Sequence, residues 1–110
     1  MKRGEIWTVS GSGYSGKPRP AVIMQDDQFV TATVTICPLT SDMTEAELLR
    51  IPVFPSAENG LREPSRLMVD KLSTISRDKA GRRIGQLEAA DFGALEAAIA
   101  AFLGLKIPTA

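Results

Sequence analysis

Two stretches of the chain alternate apolar and polar residues with a strand's period, and only the last segment has the spacing of a helix. Residues Gly4 to Val9 (GEIWTV) alternate and are rich in β-formers, which predicts a first strand. The stretch SGSGYSGKP that follows is too rich in glycine and serine for anything but a loop. Arg19 to Gln25 (RPAVIMQ) is a short apolar run ended by a turn at Asp26-Asp27, and Thr31 to Leu39 (TATVTICPL) again alternates with β-branched residues. In TSDMTEAELL, Thr44 and Glu47 have the spacing of a capping box, so this segment reads either as one helical turn or as a loop. Arg50 to Phe54 is a strand that Pro52 confines to an edge or to an unpaired position. Ser56 to Gly60 (SAENG) reads as a single turn closed by Gly60. Arg66 to Ile75 (RLMVDKLSTI) is the next expected strand, and Arg83 to Leu87 the last, beyond a turn at Asp78 to Arg82.

Phe92, Leu95, Ile99, Phe102 and Leu103 then recur on one helical face in an alanine-rich background. Glu88 and Asp91 favour the start of this helix and Gly104 its stop, so it is expected to pack on the strands as a lid. About six strands at short spacing predict a small antiparallel barrel. The fold class is thus mainly β with a C-terminal α-helix, as one domain over residues 1–110.

Composition limits the chemistry. The 13 basic and 13 acidic residues cancel, so total charge does not mark a nucleic-acid binder and the placement of charge must decide. Histidine is absent, which removes the commonest proton carrier near neutral pH and the commonest metal ligand. A paired-histidine nuclease, a Ser-His hydrolase and a histidine-rich zinc site are excluded. The single cysteine, Cys37, excludes a thiolate zinc site. With neither a cationic leader nor an apolar run near the ~18 residues a membrane helix needs, it also points to the reducing cytoplasm. No phosphate-cradling GxxxxGK[ST] loop or GxGxxG turn occurs, and no metal or other cofactor is expected.

RGEIW at Arg3 to Trp7, GKPRPAVI at Gly16 to Ile23, CPLTS at Cys37 to Ser41 and NGLREPSRLMVDKLSTI at Asn59 to Ile75 occur in order. RIGQL at Arg83 to Leu87 and FLGL at Phe102 to Leu105 follow. As an ordered set with short spacers, these pieces resemble the MazF/PemK/Kid family of toxin–antitoxin systems across nearly the whole chain. The resemblance implies an SH3-like antiparallel barrel with a C-terminal helix, the fold of CcdB- and MazF-type plasmid maintenance toxins. It further implies a cytoplasmic homodimer that cuts single-stranded RNA at a short sequence, leaving a 2′,3′-cyclic phosphate and a 5′-hydroxyl. The implied partner is an acidic, MazE-like antitoxin whose flexible tail fills the RNA groove, with DNA met only through the toxin–antitoxin complex. By the same resemblance the catalytic arginine falls on Arg19, the catalytic threonine on Thr40, and a carboxylate proposed in some relatives as a proton acceptor on Asp70. Some relatives carry a histidine in the first loop that this chain lacks, so a mechanism built on it does not transfer.

Cyclising transesterification needs the 2′-oxygen deprotonated, the charge on five-coordinate phosphorus neutralised and the 5′-oxygen protonated as it leaves. Arg19 offers planar donors to two phosphate oxygens, and each donor aimed at a transition state contributes ~3 kcal/mol. Thr40 adds a hydroxyl donor. Asp70 is the candidate base, because a guanidinium keeps its proton at neutral pH. Each has a structural alternative: Arg19 as a solvated strand entry, Thr40 as a turn hydroxyl, Asp70 as a partner of Lys71 or Arg66. Arg3, Lys17 and Lys71 are expected along the RNA backbone, with Ser41 beside Thr40 and Tyr14 as a stacking ring in the first loop. Lys2 reads as solvated charge, Trp7 as core or dimer interface and Cys37 as a buried small hydrophobe. Two other functions share the fold: a CcdB-like gyrase poison and a non-catalytic binding module. CcdB-type toxins act through a C-terminal end with tryptophan, and this chain reads GLKIPTA there.

Overall fold

Seven strands and one helix make up the regular structure of the residues that the computed structural model describes, 1–10, 17–43 and 49–106. Tyr14 and the Thr44–Glu47 capping box lie outside them. Strands β1 (Glu5–Val9), β2 (Arg19–Ile23), β3 (Thr33–Thr40), β4 (Arg50–Val53), β5 (Ser65–Met68), β6 (Ser73–Ser76) and β7 (Ala80–Gln86) pair antiparallel. Their order is β4-β5-β3-β2-β1-β7, with β6 on β3. β4, which carries Pro52, lies at the edge, where its missing N–H costs no ladder bond. No pairing joins β4 to β7 among the described residues, so the barrel is open.

The expected strand from Arg66 to Ile75 is in fact two. A 3-10 turn at Val69–Lys71 divides β5 from β6, so β5 pairs with the end of β3 (Leu39↔Leu67) and β6 with its beginning (Thr33↔Ser76). At this corner Val69 turns into the core, fully buried, and the Asp70 carboxylate turns to the Arg50 guanidinium of β4. Local alternation cannot register such a corner, because the groups that hold it come from distant parts of the chain. The turn expected at Asp78 to Arg82 is tighter than foreseen, a 3-10 turn at Arg77–Lys79, so β7 starts at Ala80.

Both faces of the sheet carry a buried apolar cluster. Ile6, Val22, Cys37, Leu39 and Leu67 point to one side and meet Leu95 of α1 (Ala89–Leu103). Val9, Ala21, Ile23, Val34 and Ile36 cluster on the other, with Trp7 and Ile75 half-buried beside them. Burying one such Leu or Ile contributes roughly 1.5–3 kcal/mol. Gly104 ends α1 in the left-handed region at φ 69°, and the Leu105 N–H reaches back to the Ala100 carbonyl at 2.8 Å. The lid is shorter than its pattern: Phe92, Ala98 and Ile99 pack with Leu95, while Phe102 and Leu103 stand 44% and 53% exposed.

Candidate functional site

The site begins with a turn built around one buried side chain. Asn59 is fully buried; its Oδ1 accepts the N–H groups of Ser56 and Leu61, both at 3.0 Å, and its Nδ2 donates to the Phe54 carbonyl at 2.9 Å. Gly60 follows at φ 69°, where a Cβ would strike the Ile84 carbonyl of β7; a Cβ on Gly85 would strike the Asn59 carbonyl. Two glycines therefore let the turn and β7 meet backbone to backbone, and Gln86 N–H donates to Glu58 O at 2.9 Å. Docked in this way, the turn and the start of β5 share one open groove of about 680 Å³ with β1, β2 and β7.

Among the described residues, the charged lining of that groove is Lys17, Arg19, Arg62, Arg82 and Arg83 against one carboxylate, Glu63. Among the described residues Lys17, Arg19, Arg62 and Arg82 have no ion-pair partner. Arg83 donates to Glu5 at 2.8 Å. Burial raises the Glu5 carboxyl, but hydrogen bonds from the Lys2 N–H, Trp7 Nε1 and Arg83 outweigh it and hold the group below the usual carboxylate range. Like charges lining one cleft of a chain with zero net charge focus a positive potential, which favours a polyanion.

Of the residues expected from the sequence, Lys17, Arg19 and Ser41 line this groove together. Thr40 stands between two lining residues, Leu39 and Ser41, and its Oγ1 accepts the Asp42 N–H at 3.1 Å. The β2–β3 pairing ends at Ala21 and Pro38; extending that register by two residues puts Arg19 across from Thr40, on the same face of the sheet. Asp70 lies outside the groove lining, on the 3-10 corner rather than in a strand, bonded to Arg50. Burial works to raise its pKa, and the hydrogen bond and charge of Arg50 outweigh burial and lower it. Arg3 is also elsewhere: it lies 4.6 Å from the Phe92 ring centre and pairs with Glu96 at 2.7 Å. Lys71 is exposed on the corner beside Asp70. Burial pushes the Cys37 thiol up to about 12, which leaves it inert. Asp26 and Asp27 accept backbone N–H groups from Gln28 and Arg3, as turn residues do. Sequence reasoning passed over Arg62, Glu63, Arg82 and Arg83; the Gly-Arg-Arg run at 81–83 was the signal, a glycine that marks a bulge beside paired cations.

The chain matches, over residues 2–103, the family described as PemK-like, MazF-like toxin of type II toxin-antitoxin system. It is 44% identical over 107 residues to the probable endoribonuclease MazF of Mycolicibacterium smegmatis, covering 96% of this chain and 98% of that protein. Its fold is similar to that of the Mycobacterium tuberculosis toxin MazF-mt6, with a TM-score of 0.77 at 30% identity over 94% of this chain and 99% of that one. A mycobacterial endoribonuclease solved in complex with its cognate antitoxin has the same fold, with a TM-score of 0.76 at 22% identity over 98% of this chain and 97% of that one.

Proposed function

The chain belongs to the PemK-like, MazF-like toxin family of type II toxin–antitoxin systems, and from that premise we propose that it is an endoribonuclease toxin cutting single-stranded RNA in its basic groove. The observation that carries this reading is Arg19, exposed on the groove wall and without an ion-pair partner among the described residues, with Thr40 across from it when the β2–β3 register is extended by two residues. Arg19 binds two non-bridging oxygens of the scissile phosphate and neutralises the charge that builds on five-coordinate phosphorus. Thr40 already accepts a backbone N–H, so its own O–H is left to donate to a phosphate oxygen. The 2′-oxygen forms its bond to phosphorus as the bond to the 5′-oxygen breaks. The 2′-proton passes to a base and the 5′-oxygen takes one up. Asp70 serves as that base only where its pair with Arg50 opens and the carboxylate turns toward the groove; among the described residues Glu63 is the carboxylate that lines the groove.

The inhibitor is an acidic antitoxin segment that competes for the same cations. The active form is a homodimer, for which Phe102, Leu103 and Leu105 at the end of α1 offer exposed apolar surface. No helix among the described residues is long and apolar enough to cross a membrane, and we place the protein in the cytoplasm with its RNA. The test is purified protein on a long RNA with chelator present. Cleavage that survives chelation and stops when the nucleotide at the cut is 2′-deoxy supports the reading; chelator-sensitive cutting rejects it.

A further inference from the structure

Strand β7 is irregular where it borders the groove. Ile6 opposes Gly85, Trp7 opposes Arg83 and Val9 opposes Ala80, so the register with β1 slips twice within four residues of β1. Thr8 consequently faces two residues, Gly81 and Arg82, and its Oγ1 accepts the Arg82 N–H at 3.0 Å. A side chain at position 81 would disturb this contact, because a Cβ there would stand 2.6 Å from Thr8 Oγ1. Neighbours in a regular strand point to opposite faces, yet Arg82, Arg83 and Ile84 all line the groove. Bulges re-aim side chains in this way. Arg83 is engaged by Glu5, whereas Arg82 has no ion-pair partner among the described residues. Arg62, likewise without one, lines the same groove from the turn that Asn59 and Gly60 dock against β7.

We propose that Arg82 and Arg62 form a second phosphate subsite, apart from the scissile phosphate at Arg19, that grips the RNA backbone whatever its bases, with Thr8 as the positioning residue. This rests on the endoribonuclease reading and deepens it. Strands β2 and β7 lie on either side of β1, ~10 Å apart, so Arg82 engages a phosphate next to the one held by Arg19. Contacts of this kind fix register and orientation without reading sequence.

The test is binding of an oligonucleotide made uncleavable by 2′-deoxy substitution, titrated from about 50 to about 200 mM salt. Arg82→Ala and Arg62→Ala are each expected to weaken affinity about tenfold, equally on oligonucleotides of different sequence, and to reduce the log–log salt slope by ~0.7. Thr8→Val leaves every charge in place, so an affinity loss and a shallower slope there, restored by Thr8→Ser, trace to the aim of Arg82. Unchanged slopes in both arginine variants overturn the subsite, as does a loss confined to one sequence. A loss seen only with an acidic peptide overturns it too, and gives the pair to a protein partner. Wild-type protein that binds RNA with a normal slope but cuts none refutes the nuclease reading alone, and the variant slopes still decide the subsite.

Discussion

Five arginines of this chain, at positions 3, 19, 50, 62 and 82, live in two opposite situations. At the β4–β5 edge, Arg50 keeps only 4% of its side chain exposed and is paired with Asp70; near α1, Arg3 lies on the Phe92 ring and is paired with Glu96. In the groove, Arg19, Arg62 and Arg82 are exposed and lack ion-pair partners among the described residues. A buried charge without a partner costs several kcal/mol, so Arg50 must be matched. Exposed guanidinium groups stay hydrated and carry no such penalty, which leaves them available to an incoming anion. Since basic and acidic residues are equal in number, the contrast arises from the fold and not from composition. Strand pairing brings Arg50 to Asp70, while a docked turn and a bulged strand gather cations around Glu63.

Removing Arg19 strikes the groove side of this contrast hardest. Arg19→Ala is expected to lower cleavage by about 10²–10³-fold with the unfolding midpoint unchanged; normal cleavage would remove its central residue. On the paired side, Asp70→Ala is expected to cost ~2–3 kcal/mol in urea unfolding, against under ~0.5 kcal/mol for Arg82→Ala, and equal costs would erase the distinction. Thr40→Val, which deletes one donor to a charged oxygen, is expected to slow cleavage about tenfold at saturating RNA. The folded-state pKa values of Asp70 and Glu5 lie below their ordinary values, so their contribution is complete above the carboxylate range and is lost as pH falls through the lowered values. Urea midpoints should therefore drop on acidification, and Asp70→Asn should flatten the drop. A small effect is also expected from Glu96→Gln, whose pair with Arg3 is solvent-exposed: under ~1 kcal/mol by the same assay.

The elements set by local pattern were legible in the sequence: β1 and β3 by alternation, β2 as a short apolar run, α1 by its apolar face, and its end by Gly104. The Val69–Lys71 corner was not, because burial of Val69 and the partnership of Asp70 with Arg50 are decided by tertiary pairing. The groove divides the same way. Lys17, Arg19 and Ser41 sit on flanks of recognisable motifs, whereas Arg62 and Arg82 reach the groove through the docking of Gly60 on Ile84 and a bulge opposite Thr8. Arg3 shows the converse: it opens a motif near the first loop, but Glu96 and Phe92 of a helix far along the chain draw it to the other side.

Mass analysis of both ends of a synthetic RNA cut by the purified protein in chelator probes the proposed chemistry most directly. Attack by the 2′-hydroxyl at Arg19 leaves a 2′,3′-cyclic phosphate on one fragment and a 5′-hydroxyl on the other. A 3′-hydroxyl facing a 5′-phosphate would contradict it.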